Sequence, residues 1–278
     1  MARPIKLEFN KRRLAGFTGN QLKLIACIFM LCDHAGFMLI ENGMLYAQNP
    51  MYWLQAVGSP EGHKWYMVAR ALRFLGRISF PMIAFLAAEG AANTLNIRKY
   101  IRRLFICAVI SEIPFDLARK GLPSEFEFTG IGGFFSYVFH MEVQYADYQN
   151  VIFTILLAVC CIACMKLCRK LPFIVYMPII AVFGIAAEYI KCDYGAMGVV
   201  LIAAFYLLRN EKAIQLIFGG VMSAMESYDY FGVSALSCIF LFFYNGKRGA
   251  DGLKYFFYVF YPAHLIVFFL LVYLANRG

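Results

Sequence analysis

Long apolar stretches alternate with short polar and basic segments along the whole chain. A helix needs about 20 mostly apolar residues to cross the ~30 Å hydrocarbon core of a bilayer. Stretches of roughly this kind are the predicted spans: 22–40, 67–91, 101–118, 150–168, 172–190, 194–208, 212–226, 230–245 and 255–275. The pattern predicts an all-α, polytopic transmembrane helical bundle with about nine spans, in a range of about eight to ten. We expect one integral membrane domain over residues 1–278.

Basic residues are concentrated in alternate connecting segments. With a cytoplasmic N-terminus, each inner segment is more basic than its outer neighbours, as the positive-inside rule requires. The inner side then includes the basic N-terminal segment 1–21, and the outer side has two long loops at 41–66 and 119–149. One inner connection carries four basic residues: Arg98, Lys99, Arg102 and Arg103. We therefore predict a cytoplasmic N-terminus.

Composition narrows the class of protein. The chain is 62% hydrophobic and only 15% charged, against roughly a quarter charged in ordinary soluble domains, and its mean hydropathy is +0.64. These values exclude a disordered chain and argue against a soluble domain. A net charge of +9 would suggest nucleic acid in a soluble protein. Here it records membrane topology, so we predict the lipid bilayer as a partner and no nucleic acid.

Cysteines give no sign of a metal site. There are nine, and most lie within apolar spans. Cys160, Cys164 and Cys168 share one helix face, but that helix offers no further ligands of the kind that zinc requires. We interpret these thiols as small packing residues and predict no bound metal.

Charged residues within the first span are the strongest functional signal, because each costs about 2.5–3.5 kcal/mol at a helix centre. Lys23 and His34 are eleven residues apart, which places them on one helix stripe about 16 Å apart. Cys27 and Met30 lie between them on that stripe, and Asp33 precedes the histidine. The simpler interpretation is a snorkelling lysine and a buried histidine that serves packing.

The second span carries a basic stripe. Arg70, Arg73 and Arg77 are spaced i, i+3 and i+7, so they descend one helix face. Pro81 follows in mid-span and should kink the helix, and Glu89 lies near the inner end.

The third span contains Glu112 and Asp116, and the last span contains Tyr261 and His264. The helical rise of ~1.5 Å per residue places four groups at similar depth near the membrane centre: His34, Arg77, Glu112 and His264. We predict an Arg77–Glu112 ion pair. A purely structural role for that pair, with the histidines joining helices, is the alternative.

The two entrances of the bundle differ in predicted charge. The inner side is basic, and the outer side collects five carboxylates: Asp116, Glu188, Asp193, Glu226 and Asp229. Such a site would admit an anionic donor from inside and a cationic acceptor from outside. The same charges are also ordinary topology signals.

Six segments occur in this order: LKLIACIFMLCDHAG (22–36), RFLGRISFPMIAFLAAEGAANT (73–94), YIRRLFICAVISEIPFDLA (100–118), QNVIFTILLA (149–158), CDYGAMGVVLI (192–202) and FYPAHL (260–265). Through them most of the chain resembles the TraX family, integral membrane proteins associated with N-terminal acetylation of conjugative pilin. It is similar, more distantly, to transmembrane acyltransferases that carry an Arg, ten residues and then a His in an early span. Lys23 stands in that Arg position and keeps its charge without the planar fork.

The resemblance implies an acetyl-CoA-dependent acetyltransferase, a multi-pass protein of the bacterial cytoplasmic membrane. The acceptor would be a pilin or other peptide amine, or a surface-glycan hydroxyl. The coenzyme A phosphates would bind five basic residues: Lys23, Arg98, Lys99, Arg102 and Arg103.

In this mechanism His34 would be the general base, since imidazole exchanges protons near neutral pH. Asp33 points about 100° away from His34 on the helix and would pair with Arg77 or another basic group. Arg77 would stabilise a developing oxyanion, and Glu112 would be the ion-pair partner of Arg77. His264 would support His34 or act as a second base.

Two other functions fit parts of the pattern. A transporter or flippase would use the buried charges as a proton relay, although we find no paired interrupted helices in the two halves. A non-catalytic membrane subunit of a pilus or secretion system would leave the aligned charges unexplained.

Overall fold

The computed structural model describes residues 16–47, 49–120, 148–249 and 255–275. Its α-helices are α1 (Gly19–His34), α2 (Pro50–Gly58), α3 (Pro60–Gly76), α4 (Ser79–Asn93), α5 (Ile97–Lys120), α6 (Val151–Leu167), α7 (Tyr176–Tyr189), α8 (Gly195–Leu207), α9 (Lys212–Glu226), α10 (Ser237–Phe242) and α11 (Phe256–Ala275). Short 3₁₀ turns precede α7 and α10. Most of the predicted segments 1–21 and 119–149 lies outside the described residues.

The first helix begins at a capping box and ends in a change of helix type. Thr18 accepts from the backbone N–H of Gln21, whose side chain reaches back to the Thr18 N–H, so two otherwise unpaired donors are satisfied. After His34 the chain continues as a π-helix, Ala35–Met44. Together the two elements form one 26-residue apolar segment, Gly19–Met44.

Helices also occupy much of the predicted outer loop 41–66. Asn49 caps α2 and Ser59 caps α3. Both helices begin with proline, which the first helical position tolerates because its N–H has no intrahelical partner. This predicted outer connection is therefore largely helical, and its position on the outer side stays a prediction.

The predicted second span is interrupted. The structure breaks it between Gly76 and Ser79, where a single kinked helix was predicted. Proline lacks an N–H and its ring clashes with the carbonyl four residues earlier, so a helix accepts it best in the first turn. Pro81 is the third residue of α4, and this position explains why a new helix starts just before it.

Apolar segments long enough to cross a bilayer confirm a helical membrane protein. By length and composition three qualify within the described residues: Gly19–Met44, Pro60–Asn93 and Phe256–Ala275. Shorter apolar helices accompany them: Val151–Leu167, Phe173–Tyr189, Gly195–Leu207 and Val233–Phe242. The total of about nine spans and the cytoplasmic N-terminus stay predictions.

The bundle packs around α8, which contacts α4, α6, α7 and α9. Phe205, Leu201 and Ile202 of α8 are almost fully buried. On the other side, α11 packs against α5 and contacts α1. This arrangement leaves room between α1, α4, α5 and α11, where the candidate site lies.

Candidate functional site

A cavity of about 770 Å³ is lined by α1, α3, α4, α5, α6 and α11 and by Asp193 and Tyr194 before α8. We call it the central cavity. It follows α1 from Lys23 near the start of the helix to His34 at its end. The predicted stripe is present, since Cys27 and Met30 line the same wall. The volume lies in the usual range for small-molecule sites.

One end of the central cavity is basic. We call this end the basic mouth, formed by Lys23, Lys99, Arg103 and Arg248. The Lys23 ammonium nitrogen lies 5.1 Å from the ring centroid of Phe257, so the aromatic face supports this cation. The sequence did not indicate Arg248 as a site residue, because its position at the basic mouth depends on contacts between residues 247–248 and the start of α1.

The segment that contains Lys247 and Arg248 is hydrogen-bonded to the start of α1. The N–H groups of Gly19 and Asn20 donate to the carbonyls of Lys247 and Arg248 at 2.8 and 2.9 Å. These bonds satisfy donors that a helix N-terminus leaves without intrahelical partners. They also place Arg248 beside Lys23 at the basic mouth.

Two of the five predicted phosphate-binding residues, Arg98 and Arg102, do not line the central cavity. Both are exposed. Lys99 and Arg103 are four residues apart and share one face of α5. Arg98 and Arg102 each precede one of them by one residue and are therefore rotated by about 100° away from that face. Helical phase therefore divides the basic cluster, and only one side of it meets the central cavity.

At the other end of the cavity, His34 on α1 meets His264 on α11. Nδ1 of His34 lies 2.6 Å from Nε2 of His264. The ring planes are nearly parallel, inclined by 5°, with centroids 4.8 Å apart, so the two imidazoles meet edge to edge. His264 is only 6% exposed, and Tyr261, one turn earlier on α11, lines the cavity beside it.

Hydrogen bonding assigns the protons of the neutral histidine pair. Nδ1 of His264 lies 2.8 Å from the Phe260 carbonyl oxygen, which can only accept, so Nδ1 carries the proton. The Nε2 atom of His264 is then an acceptor and receives the Nδ1–H of His34. This assignment leaves Nε2 of His34 unprotonated and able to accept a proton.

Asp33 belongs to a separate ionic cluster. Its carboxylate lies 3.8 Å from Arg73 and 3.7 Å from Arg77, and Arg73 also lies 3.6 Å from Glu41. Asp33 thus pairs with Arg77, one of the partners that the sequence left open, and also with Arg73. We call Asp33, Glu41, Arg73, Arg77 and Glu226 the arginine layer.

The predicted Arg77–Glu112 pair is wrong. Arg77 approaches Glu226 at 4.0 Å in addition to Asp33. Glu112 instead accepts from the backbone N–H of Asn150 at 3.3 Å and from its side-chain amide. Equal depth in the membrane did not make the two residues neighbours, because α6 lies against α5 and supplies Asn150.

Beyond the arginine layer lies a second pocket of about 470 Å³, which we call the arginine pocket. Its lining combines three arginines with two carboxylates, two tyrosines and one serine: Tyr66, Arg70, Arg73, Arg77, Glu226, Ser227, Asp229 and Tyr230. The three arginines share one pocket, as their spacing predicted. Glu226 and Asp229, two of the five carboxylates predicted on the outer side, line this pocket together with the arginines, so its charge is mixed.

Tyr230 joins the three arginines of this pocket. Its ring centroid lies 4.0 Å from the Arg70 guanidinium carbon and 5.1 Å from that of Arg77. Its hydroxyl accepts from Nε of Arg73 at 3.1 Å. Sequence reasoning missed Tyr230, since no local spacing relates it to α3.

Of the remaining predicted site residues, one lines the central cavity and two lie apart from both pockets. Asp193 lines the central cavity. Glu89 and Asp116 do not line either pocket; Glu89 accepts from the Asn93 amide at 3.3 Å, and Asp116 is 3% exposed.

Comparison with known proteins identifies the family. The model of the TraX protein family matches residues 18–272. A probable fimbrial assembly protein of Dichelobacter nodosus, FimC of serogroup H1, is 26% identical over 273 residues, covering 90% of this chain and 93% of the relative. No solved structure matches the chain. The resemblance carried by the six sequence segments is thus confirmed: this chain belongs to the TraX family.

Proposed function

We propose that the protein is a membrane-embedded acetyltransferase that moves an acetyl group from acetyl-CoA to an acceptor amine of the cell envelope. The observation that carries the proposal is the central cavity, which joins a basic mouth to a histidine pair with one unprotonated nitrogen. An anion-binding entrance and a buried base are the two elements that such a transfer requires.

The donor enters by the basic mouth. Coenzyme A carries several phosphate charges, and Lys99, Arg103 and Arg248 offer complementary cations, with Lys23 deeper along α1. The pantetheine arm follows the wall of Cys27 and Met30 and brings the thioester toward His34. With the cytoplasmic N-terminus predicted from the sequence, the mouth opens to the compartment in which acetyl-CoA is made.

His34 removes the proton of the acceptor. Its Nε2 takes a proton from the amine as the nitrogen attacks the thioester carbonyl carbon. His264 holds His34 in the required tautomer and disperses the positive charge that then forms, with the Phe260 carbonyl as the last acceptor. The protonated His34 returns its proton to the departing thiolate, so the pair ends as it began.

The acceptor approaches from the arginine pocket. This pocket shares Arg73 and Arg77 with the central cavity, so the two spaces meet at the arginine layer. Carboxylates of Glu226 and Asp229 suit an ammonium group, which loses one proton to water before it reacts as the free amine, and arginines suit peptide carbonyls. Since the relative in Dichelobacter nodosus is named a probable fimbrial assembly protein, we take the N-terminal amine of a pilus subunit as the acceptor, with a surface-glycan hydroxyl as the other candidate.

Two measurements test this function. Purified protein should bind acetyl-CoA labelled in the acetyl group, and cells that express it should carry one envelope peptide or glycan heavier by one acetyl group. His34→Ala should abolish the mass difference at unchanged protein level. His63→Ala changes an exposed histidine of α3 and should keep it. Undiminished acetylation in His34→Ala would remove His34 from the mechanism.

A transporter is the competing function, because two pockets that meet at a charged layer also suit alternating access. Reconstituted vesicles distinguish the two classes. A transporter moves protons or a solute without consuming acetyl-CoA, whereas the proposed enzyme releases coenzyme A only when the acceptor is present.

A further inference from the structure

The break between α3 and α4 lies beside the reacting groups. Gly76 ends α3 in contact with Asp33, so closely that a Cβ at this glycine would overlap the aspartate. Asp33 immediately precedes His34. The start of α4 is therefore held at the level of the histidine pair, and Arg77, Ser79 and Phe80 all line the same central cavity.

The start of α4 has no side-chain cap. Ile78 occupies the capping position and forms no side-chain hydrogen bond. The first N–H groups of any helix lack intrahelical partners and carry partial positive charge. α4 has 15 residues, so this charge is well developed at its end.

A second observation points to a ligand at this end. Ser79 is only 5% exposed and lines the central cavity, yet its hydroxyl has no hydrogen-bond partner among the described residues. The Arg77 Nε is buried without a hydrogen-bond partner in the same part of the structure. Buried polar atoms are rarely left unpaired, and those that are often await a functional partner.

We infer that the Ser79 hydroxyl and the start of α4 form an oxyanion hole for the acetyl transfer. The inference rests on the proposed function and adds a catalytic residue to it. As the amine nitrogen bonds to the carbonyl carbon, the C=O π pair moves onto oxygen, and this oxyanion accepts hydrogen bonds from the Ser79 O–H and the α4 N-terminus. When the pair returns, the C=O bond re-forms, the C–S bond breaks, and coenzyme A leaves as the thiolate that His34 protonates.

Two ketone analogues of acetyl-CoA test the inference without knowledge of the acceptor. Acetonyl-CoA keeps a planar carbonyl, whereas trifluoroacetonyl-CoA hydrates readily to a tetrahedral gem-diol, which resembles the intermediate when it loses one proton. The full-length protein in detergent should bind the fluorinated analogue at least ~10-fold more tightly, as transition-state analogues do. Ser79→Ala should weaken the binding of the fluorinated analogue by ~10-fold or more. The same variant should weaken the binding of acetonyl-CoA by less than about twofold.

Ser237→Ala is the matched control. Ser237 is also fully buried with an unpartnered hydroxyl, but it does not line the central cavity, so both affinities should stay unchanged. Normal binding of acetonyl-CoA shows that Ser79→Ala is folded. The oxyanion hole would be overturned if Ser79→Ala lost equal affinity for both analogues or lost none for either. It would also be overturned if the wild-type protein bound the two analogues with equal affinity. A wild-type protein that binds neither analogue would overturn the proposed function as well.

Discussion

Nε2 of His264 accepts a hydrogen bond from Nδ1 of His34 across 2.6 Å, although the two residues are 230 positions apart in the chain. Each histidine lies on a different helix, α1 or α11, and the carbonyl of Phe260 completes the chain of hydrogen bonds. The arrangement gives His264 a purely supporting position, since its two ring nitrogens are both occupied.

His264→Ala should therefore lower the rate of acetyl transfer at saturating acetyl-CoA by about 10- to 100-fold, the size of effect typical of general acid–base groups. The KM for acetyl-CoA should change little, because the basic mouth is intact. His264→Gln, which can place an amide near Nδ1 of His34, should recover part of the rate. Membranes containing the native acceptor allow this measurement, with protein level checked in each variant. Loss of donor binding with unchanged maximal rate would contradict the supporting role.

The basic mouth makes a prediction that depends on helical phase. Arg103→Ala should weaken coenzyme A binding by about tenfold, since a charge-assisted hydrogen bond contributes about 1.5–3 kcal/mol. Arg102→Ala removes the same charge from the neighbouring exposed position and should change affinity by less than about twofold. Isothermal titration of the detergent-solubilised protein compares them directly. Similar losses in both would mean that overall charge, and not the lining of the central cavity, governs binding.

Lys23 offers a related comparison. Lys23→Ala should raise the apparent KM for acetyl-CoA with a smaller effect on the saturated rate, because Lys23 lines the basic mouth, where we propose that the donor binds, and lies far along α1 from His34. Lys64→Ala, an exposed lysine of α3, should leave both constants unchanged. An unaltered KM in Lys23→Ala would place the donor elsewhere.

The close approach of Gly76 to Asp33 predicts a large difference between two glycine substitutions. Gly76→Ala forces a Cβ into Asp33 and should destabilise the protein by about 1–3 kcal/mol or more through overpacking. Gly58→Ala at the end of α2 has open space around its Cβ and should be neutral within about 0.5 kcal/mol. Thermal unfolding in one detergent provides the comparison. Equal melting temperatures for the two variants would show that α1 and α3 are not in close contact.

Double-mutant cycles test the partners of Arg77. Asp33→Asn and Arg77→Gln should be coupled by about 0.5–3 kcal/mol, as residues in one ionic network are. Glu112→Gln and Arg77→Gln should be additive within about 0.5 kcal/mol, because Glu112 binds Asn150 and not Arg77. Strong coupling in the second cycle would restore the pair predicted from depth alone.

Features that depend on one helix were predictable from the sequence. The Lys23–His34 stripe, the common face of Arg70, Arg73 and Arg77, and the divergence of Asp33 from His34 all follow from 100° per residue, and the structure has each of them. The angular position of a side chain around its helix depends only on sequence spacing, so it does not depend on how the helices pack.

Features that join different helices were not predictable. His34 and His264 were placed at equal depth, and they meet; Arg77 and Glu112 were placed at equal depth, and they do not. Depth leaves the lateral order of the helices open, and that order depends on side-chain packing across the bundle. Pro81 shows a related ambiguity, because a proline permits either a kink within one helix or the start of a second.

The change from α-helix to π-helix after His34 divides the first membrane segment into two parts of different phase. A π-helix bonds i to i+5, so residues after His34 no longer continue the stripe that begins at Lys23. Deleting one residue between His34 and Glu41 would rotate Glu41 away from Arg73, while Lys23 and His34 kept their places. The π-helix thus places Phe37 in the central cavity and Glu41 in the arginine layer, so the length of this one segment sets two contacts without affecting the wall of α1 between Lys23 and His34.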